Sequence, residues 1–195
     1  MISCIILAAG FSSRFGSPKA LAKLNGINVI ESLQKTLLET SVKEIIVVLG
    51  AHSDQIKSSL LNHKKVRFVY NKDYNFGQTS SFKVGLKNIS SGLAGIMLLP
   101  VDYPFVGQAT IEDLVGSFLE NKPTILIPTF NNKKGHPPIF HAKLKEEFLL
   151  LDDSVGINTI NHLHKDETML FPTNDQGIIA TFNTLEEFEK LKKSI

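Results

Sequence analysis

The sequence predicts a doubly wound α/β domain, a mostly parallel sheet with helices on both faces. Three observations carry that expectation. Short apolar runs rich in β-branched residues recur along the chain, helical patterns separate them, and the runs are ended by Gly, Pro or Asn. Strands alternating with helices imply parallel pairing through right-handed crossovers, and this leaves helices on both faces.

Ile2–Leu7, Glu44–Leu49, Val66–Tyr70, Gly95–Leu99 and Thr124–Pro128 read as buried strands. Between them, Val29–Leu38, Asp54–Leu61, Thr79–Asn88 and Gln108–Glu120 carry apolar residues at helical spacing. In the first of these helices Ile30, Leu33, Leu37 and Leu38 form a stripe, while Glu31, Gln34, Lys35 and Glu39 face away. Beyond Pro128 the pattern loosens. Asn131 to Gly135 is a polar turn, followed by short helices near Ala142–Leu150 and Val155–Leu163 and strands near Thr168–Phe171 and Gly177–Ala180. The last helix opens on Thr184-Leu185-Glu186-Glu187, a capping box in which Thr184 and Glu187 satisfy each other's backbone donors.

At 195 residues, with no repeat, low-complexity stretch or long linker, the chain reads as a single domain over 1–195. Its 21 Lys and Arg against 19 Asp and Glu leave a net charge of +2. Lys133-Lys134 and Lys192-Lys193 are the longest basic clusters, too short for a protein that coats nucleic acid. The single Cys4 excludes an intramolecular disulfide and a cysteine zinc site, and its apolar run points to a buried thiol. That run is too short to span a bilayer, and nothing marks the chain for export. A cytoplasmic protein without membrane contact is expected.

The chemistry gathers in the loop after the first strand, Ala8-Ala9-Gly10-Phe11-Ser12-Ser13-Arg14-Phe15-Gly16-Ser17-Pro18-Lys19. In an open parallel sheet, ligands bind beyond the carboxyl ends of the strands. Small residues and two glycines let backbone N–H groups approach an anion, and Ser12 and Ser13 add hydroxyls. Arg14 offers a planar fork for phosphate oxygens, and Lys19 a compact mobile charge. The loop is equipped for a polyphosphate. It is neither of the two commonest phosphate loops: Gly10 and Gly16 are one residue too far apart for the Walker form, and Ser12 stands where the dinucleotide form needs its second glycine.

Leu7-Ala8-Ala9-Gly10-x-Ser12-x-Arg14-x-Gly16-x-x-Lys19 resembles the signature of nucleotidyltransferases with a Rossmann-like fold, most closely the molybdenum cofactor cytidylyltransferase family. The resemblance implies a loop wrapped round a triphosphate. Arg14 would meet its β and γ phosphates and Lys19 its α-phosphate. Asn71…Gly77-Gln78-Thr79-Ser80-Ser81 resembles the family's Asn…Gly-Met-Ser-Ser-Ser segment, which implies Asn71, Gly77, Ser80 and Ser81 at the nucleotide, with Gln78 replacing Met. Asp102, in Pro100-Val101-Asp102-Tyr103-Pro104, falls where the family holds Mg²⁺, and polyphosphate oxygens with a hard cation need such an oxygen ligand.

Gly135-His136-Pro137 resembles the branch's Gly-His-Pro motif and implies contact with the acceptor. Asp152-Asp153-Ser154-Val155-Gly156 resembles its Gly-Asp-x-Gly-Ala segment. The chain departs from the family at Thr181-Phe182-Asn183-Thr184, where Asp-Ile-Asp-Thr is usual. Asn183 can still offer a carbonyl oxygen to the metal beside Asp102, but the lost charge weakens binding or shifts coordination to phosphate and water. His162-x-His164 has i, i+2 spacing, which points the rings apart on a helix, and His52, His63 and His141 read as surface residues.

The resemblance implies catalysis by Lys19, Arg14 and Asp102: transfer of CMP from CTP to the phosphate of molybdenum-bound molybdopterin, with Mg²⁺ as cofactor. The product would serve an apo-enzyme of the molybdenum hydroxylase type. GTP or another triphosphate, a sugar phosphate or other small-molecule phosphate acceptor, and a non-catalytic protein that delivers the pterin cofactor are the alternatives.

Overall fold

The computed structural model describes residues 1–195. In chain order its elements are β1 (Ile2–Ala8), β2 (Lys23–Leu24), β3 (Ile27–Asn28), α1 (Val29–Leu38), β4 (Glu44–Leu49), α2 (Ser53–Lys57), β5 (Val66–Tyr70) and α3 (Gln78–Asn88). They continue with β6 (Gly95–Pro100), α4 (Gln108–Asn121), β7 (Ile125–Phe130), β8 (Lys133–Lys134), β9 (Ile139–His141), α5 (Lys145–Leu150), α6 (Asn158–Leu163), β10 (Thr168–Pro172) and α7 (Leu185–Ser194).

The main sheet runs β10-β7-β9-β6-β1-β4-β5, with β8 paired to β7. β1 lies inside it, parallel to both β4 and β6, so that Ile5 faces Ile46 on one side and Leu98 on the other. Alternation along β1 splits the core. Ile2, Cys4, Ile6 and Ala8 face α1, α4 and α7, through Ile30, Leu33, Leu114, Phe118 and Phe188. Ile5 and Leu7 face α3, α5 and α6, through Phe82, Leu86, Phe148 and Ile160. The doubly wound, mostly parallel expectation holds, with both faces covered. Burial pushes the Cys4 thiol up, as expected of a structural cysteine. No helix is long and apolar enough to cross a membrane.

Five local expectations are corrected. β5, expected to be buried, is the edge strand of the sheet, and Arg67, Phe68 and Tyr70 on it are exposed. Gln34 does not face away: it is fully buried, donates to the Ile30 carbonyl at 2.8 Å and accepts from the Leu61 amide at 2.9 Å, so it ties α1 to the segment after α2. The helix expected over Asp54–Leu61 stops at Lys57, and that same Leu61 amide is spent on Gln34 rather than on a helical turn. The helix expected from Val155 begins at Asn158. The strand expected at Gly177–Ala180 is a 3-10 turn over Gln176–Ile179, because Asp175 Oδ1 accepts from the Gly177 amide at 2.7 Å and curls the backbone.

The sequence reading also missed β9, which runs antiparallel to its neighbours β6 and β7, as the two-residue β8 does to β7. It missed the β2–β3 hairpin as well, although Asn25-Gly26 at positive φ (50° and 83°) is the turn such a hairpin needs.

Candidate active site

The candidate site lies at the carboxyl ends of β1 and β6. Ser12, at a left-handed φ of 55°, accepts through its carbonyl from Phe15 N at 2.9 Å and Gly16 N at 3.2 Å. Its hydroxyl accepts from Lys19 N at 3.1 Å. These bonds fold the loop back, so that Arg14 and Lys19 return over the strand ends. Asp102 stands in the turn that follows β6.

Asn183 arrives from far along the chain. Glu187 Oε2 accepts from the backbone of Asn183 at 2.6 Å and of Thr184 at 3.2 Å, while Thr184 Oγ accepts from Glu187 N at 3.2 Å. The expected capping box of α7 is thus present, and it fixes the residue that precedes it. Phe182, buried beneath, packs on Phe15 and Phe188 with centroids 5.3 Å and 4.6 Å away.

These parts meet in one network. Lys19 Nζ donates to Asp102 Oδ2 at 3.2 Å and to Asn183 Oδ1 at 3.0 Å, and Arg14 Nη2 donates to the same Asn183 oxygen at 3.0 Å. A cavity of about 370 Å³ opens beside it. Of the expected nucleotide and metal residues, Leu7, Ala8, Ala9, Gly10, Ser12, Ser13, Arg14, Lys19, Gly77, Ser81, Asp102 and Asn183 line this cavity.

Gly16, Asn71 and Ser80 do not line it. Gly16 turns the loop at a φ of 81°. Asn71 is buried and donates to Ser80 Oγ at 2.9 Å and Ser81 Oγ at 3.0 Å, while its own oxygen accepts from Asp73 N at 3.0 Å. With every polar atom used internally, Asn71 and Ser80 brace the start of α3. Thr181 is exposed and lines neither this cavity nor the next.

A second cavity of about 670 Å³ adjoins the first, and Gln78, Pro100 and Asp102 line both. Gly135 and His136 line it; Pro137 does not, and its neighbour Pro138 takes that place. Tyr103, Asn161, His162, Lys134 and Lys165 also line it, and the sequence reading assigned none of them there. Tyr103 stacks on His136 with ring centroids 4.4 Å apart and planes 40° off parallel. Burial lowers the His136 pKa against the opposing pull of the Leu98 carbonyl and Asp102, which favours the neutral ring. His136 Nδ1 and Asn161 Oδ1 are buried without a protein partner. Unsatisfied polar atoms on a cavity wall are where a polar ligand recovers hydrogen bonds.

The remaining sequence candidates have structural partners. Asp153 pairs with Lys83 at 2.9 Å, and Asp152 accepts from Ser154 N at 2.8 Å. His164 is held between Glu147 at 2.7 Å and Glu167 at 2.9 Å, away from His162 on the cavity wall. No group of three His, Cys, Asp or Glu side chains could hold a metal alone. Asp102 Oδ2 and Asn183 Oδ1 nevertheless converge within 3.2 Å of one ammonium nitrogen. Two hard oxygens on one point, beside a cavity open to phosphates and water, are the donor set Mg²⁺ uses.

Residues 4–168 match the family model described as the MobA-like NTP transferase domain. A Bacillus cereus protein named as a molybdenum cofactor guanylyltransferase is 31% identical over 98% of this chain and 96% of its own length. A protein of Acanthamoeba polyphaga mimivirus, named as a UDP-N-acetylglucosamine pyrophosphorylase, is 28% identical over 65% of the chain, which spans 51% of that relative. Among solved structures, Rv0371c of Mycobacterium tuberculosis H37Rv superposes with a TM-score of 0.85 at 22% identity, covering 100% of this chain and 99% of its own. A manganese complex of Rv0371c also superposes, at a TM-score of 0.77 and 19% identity, covering 100% and 99% of the two chains. With the family model spanning most of the sequence and the site built on its first loop, the chain belongs to the MobA-like NTP transferase family and is a nucleotidyltransferase.

Proposed function

We propose that this nucleotidyltransferase moves CMP from CTP onto the terminal phosphate of molybdenum-bound molybdopterin and releases pyrophosphate. The observation that carries the reading is the shared wall: Asp102 lines both the loop cavity and the larger His136 cavity. A triphosphate in the first and a phosphorylated acceptor in the second bring the reacting groups together beside Asp102. Lys134 and Lys165 supply positive charge for an anionic acceptor, and Tyr103 stacked on His136 offers an aromatic wall for a flat heterocycle.

Positioning and charge neutralisation carry such a reaction. An acceptor phosphate oxygen forms the new bond to the α-phosphorus in line, and the bond to the β-phosphate bridging oxygen breaks as pyrophosphate leaves. A phosphate monoester has its second pKa near 6, so the attacking oxygen needs no base. That agrees with His136, half-buried and with its pKa lowered, acting in binding rather than proton transfer. The backbone of Ala8 to Ser13 and Arg14 hold the β and γ phosphates, and Lys19 stabilises charge on the α-phosphate. Asp102 and Asn183 would hold Mg²⁺, which when bound neutralises polyphosphate charge.

CTP follows from the resemblance of Pro18-Lys19-Ala20-Leu21 and Gly135-His136-Pro137 to the cytidylyl branch. GTP is the second reading, favoured by the name of the Bacillus cereus relative. The recipient of a cytosine dinucleotide product would be a molybdenum hydroxylase apo-enzyme. Pyrophosphate release measured with CTP, GTP, ATP and UTP, in the presence of Mg²⁺ and the molybdopterin acceptor, tests the reading. CTP should give the fastest turnover. Faster turnover with GTP would replace the nucleotide, and binding without release would point to a delivery protein.

A further inference from the structure

Lys19 is held in an unusual way for a lysine. Its stem is flexible and its ammonium strongly hydrated, so a lysine ordinarily carries its charge into water. Here the side chain is only 13% exposed. Nζ is fixed by Asp102 Oδ2 at 3.2 Å and Asn183 Oδ1 at 3.0 Å, and sits 5.3 Å from the centre of the Phe182 ring. The turn after β6 and the segment before α7 both grip it. The two oxygens are the pair assigned above to a divalent cation, and an ammonium and a divalent ion repel too strongly to share one point.

We infer that Lys19 is a placeholder cation: its ammonium occupies the Asp102–Asn183 point until a triphosphate draws it away, so divalent-metal binding depends on nucleotide. This rests on the nucleotidyl-transfer reading of the same site. Lys19 lines the cavity together with Gly10, Ser12 and Arg14, so phosphates arriving there offer the ammonium a partner of higher charge than one carboxylate. Arg14 leans on the same Asn183 oxygen at 3.0 Å, so both loop cations are released by one event. The departure from Asp at position 183 then acquires a role. An amide oxygen accepts from two cations through hydrogen bonds weaker than those a carboxylate would make, so it holds them without trapping them.

The test is a Mn²⁺ titration of the full chain read by electron paramagnetic resonance, with no nucleotide added. Lys19→Met, which keeps the bulk and removes the charge, should bind Mn²⁺ at least tenfold more tightly than the unaltered protein. The gain should vanish in Lys19→Met with Asp102→Asn. Lys19→Arg, which keeps the charge, should stay as weak as the unaltered protein, and circular dichroism checks each variant for folding. Should Lys19→Met not fold, the unaltered protein carries the test: it should bind CTP or GTP in the presence of EDTA, within tenfold of the affinity with metal. No tightening in folded Lys19→Met, tightening that survives Asp102→Asn, or triphosphate binding that strictly requires metal overturns the inference. If no triphosphate binds with or without metal, the underlying reading falls too; if triphosphate binds but Mn²⁺ ignores Lys19, the inference falls alone.

Discussion

At the scale of single residues, the site separates groups that hold the fold from groups that face a ligand. Lys19 belongs to the second kind. Removing its ammonium leaves Asp102, 22% exposed, open to water, so the domain should remain folded. Loss of one electrostatic contact to the transferring group typically slows turnover by about 10²–10³. Lys19→Ala should therefore lower kcat by that factor with little change in melting temperature, and steady-state kinetics beside a thermal melt checks both. Gly10 gives a complementary case. A Cβ built there meets nothing within 4 Å, so the chain itself has room for Ala. The missing Cβ matters only to something that approaches the backbone from the cavity. Gly10→Ala should leave stability unchanged while weakening triphosphate binding by roughly tenfold, the scale of one lost close contact. Isothermal titration reads the second effect, and equal affinity for both proteins would remove Gly10 from the phosphate cradle.

At the scale of elements, a charged cluster joins α5, the end of α6 and the start of β7. His164 bonds to Glu147 on α5 and to Glu167, while Glu167 also accepts from Thr124 Oγ at 2.6 Å and Lys143 at 3.2 Å. Hydrogen bonds to Glu147 and Glu167 raise the His164 pKa; bonds from Thr124, His164 and Lys143 push the Glu167 pKa down to about 2. The raised histidine contributes stability that is fully present below the unfolded value near 6.5 and is lost as pH rises through its folded pKa. The depressed glutamate contributes above the unfolded value near 4.3 and fades as pH falls towards about 2. His164→Ala should flatten the fall in stability above pH 6.5, measured by urea unfolding across pH 5–9. A variant with an unchanged profile would mean that the cluster is only a solvated surface.

The same elements show what was legible in the chain. β1, β4, β6 and β7 were found because buried parallel strands are continuous apolar runs, and α7 because its cap is written in four residues. β9 was missed because three residues, Ile139–His141, carry no period and follow two prolines. The 3-10 turn at Gln176–Ile179 was misread because its signal is one side chain, Asp175, acting on the backbone ahead of it. The loop side of the first cavity was legible because Leu7 to Lys19 are contiguous in sequence, while Gly77, Ser81, Asp102 and Asn183 were reached through the family resemblance. Tyr103, Asn161 and Lys165 were not, since only the fold brings the turn after β6 and the end of α6 to one wall.

Across the whole molecule, the two ends of the chain make a single site. Arg14 and Lys19 belong to the first loop, Asn183 to the approach of the last helix, and an aromatic cluster fastens one to the other. Phe188, on α7, lies 6.0 Å from Phe15 on the loop and 4.6 Å from Phe182, beside Asn183. Phe188 is 1% exposed and lines neither cavity, so any effect of changing it on ligand binding must pass through packing. Phe188→Leu removes ring volume but keeps an apolar side chain, and should cost about 1–2 kcal/mol, well below the 3–5 kcal/mol of a Phe→Ala truncation. The domain stays folded at that cost. α7 loosens, Asn183 loses its fixed place above Lys19, and triphosphate affinity falls several-fold although the substituted side chain touches no ligand. Chemical unfolding together with isothermal titration measures both effects. Lower stability with undiminished affinity would show that Asn183 is held by the capping box alone, and that the aromatic cluster serves the fold without reaching the site.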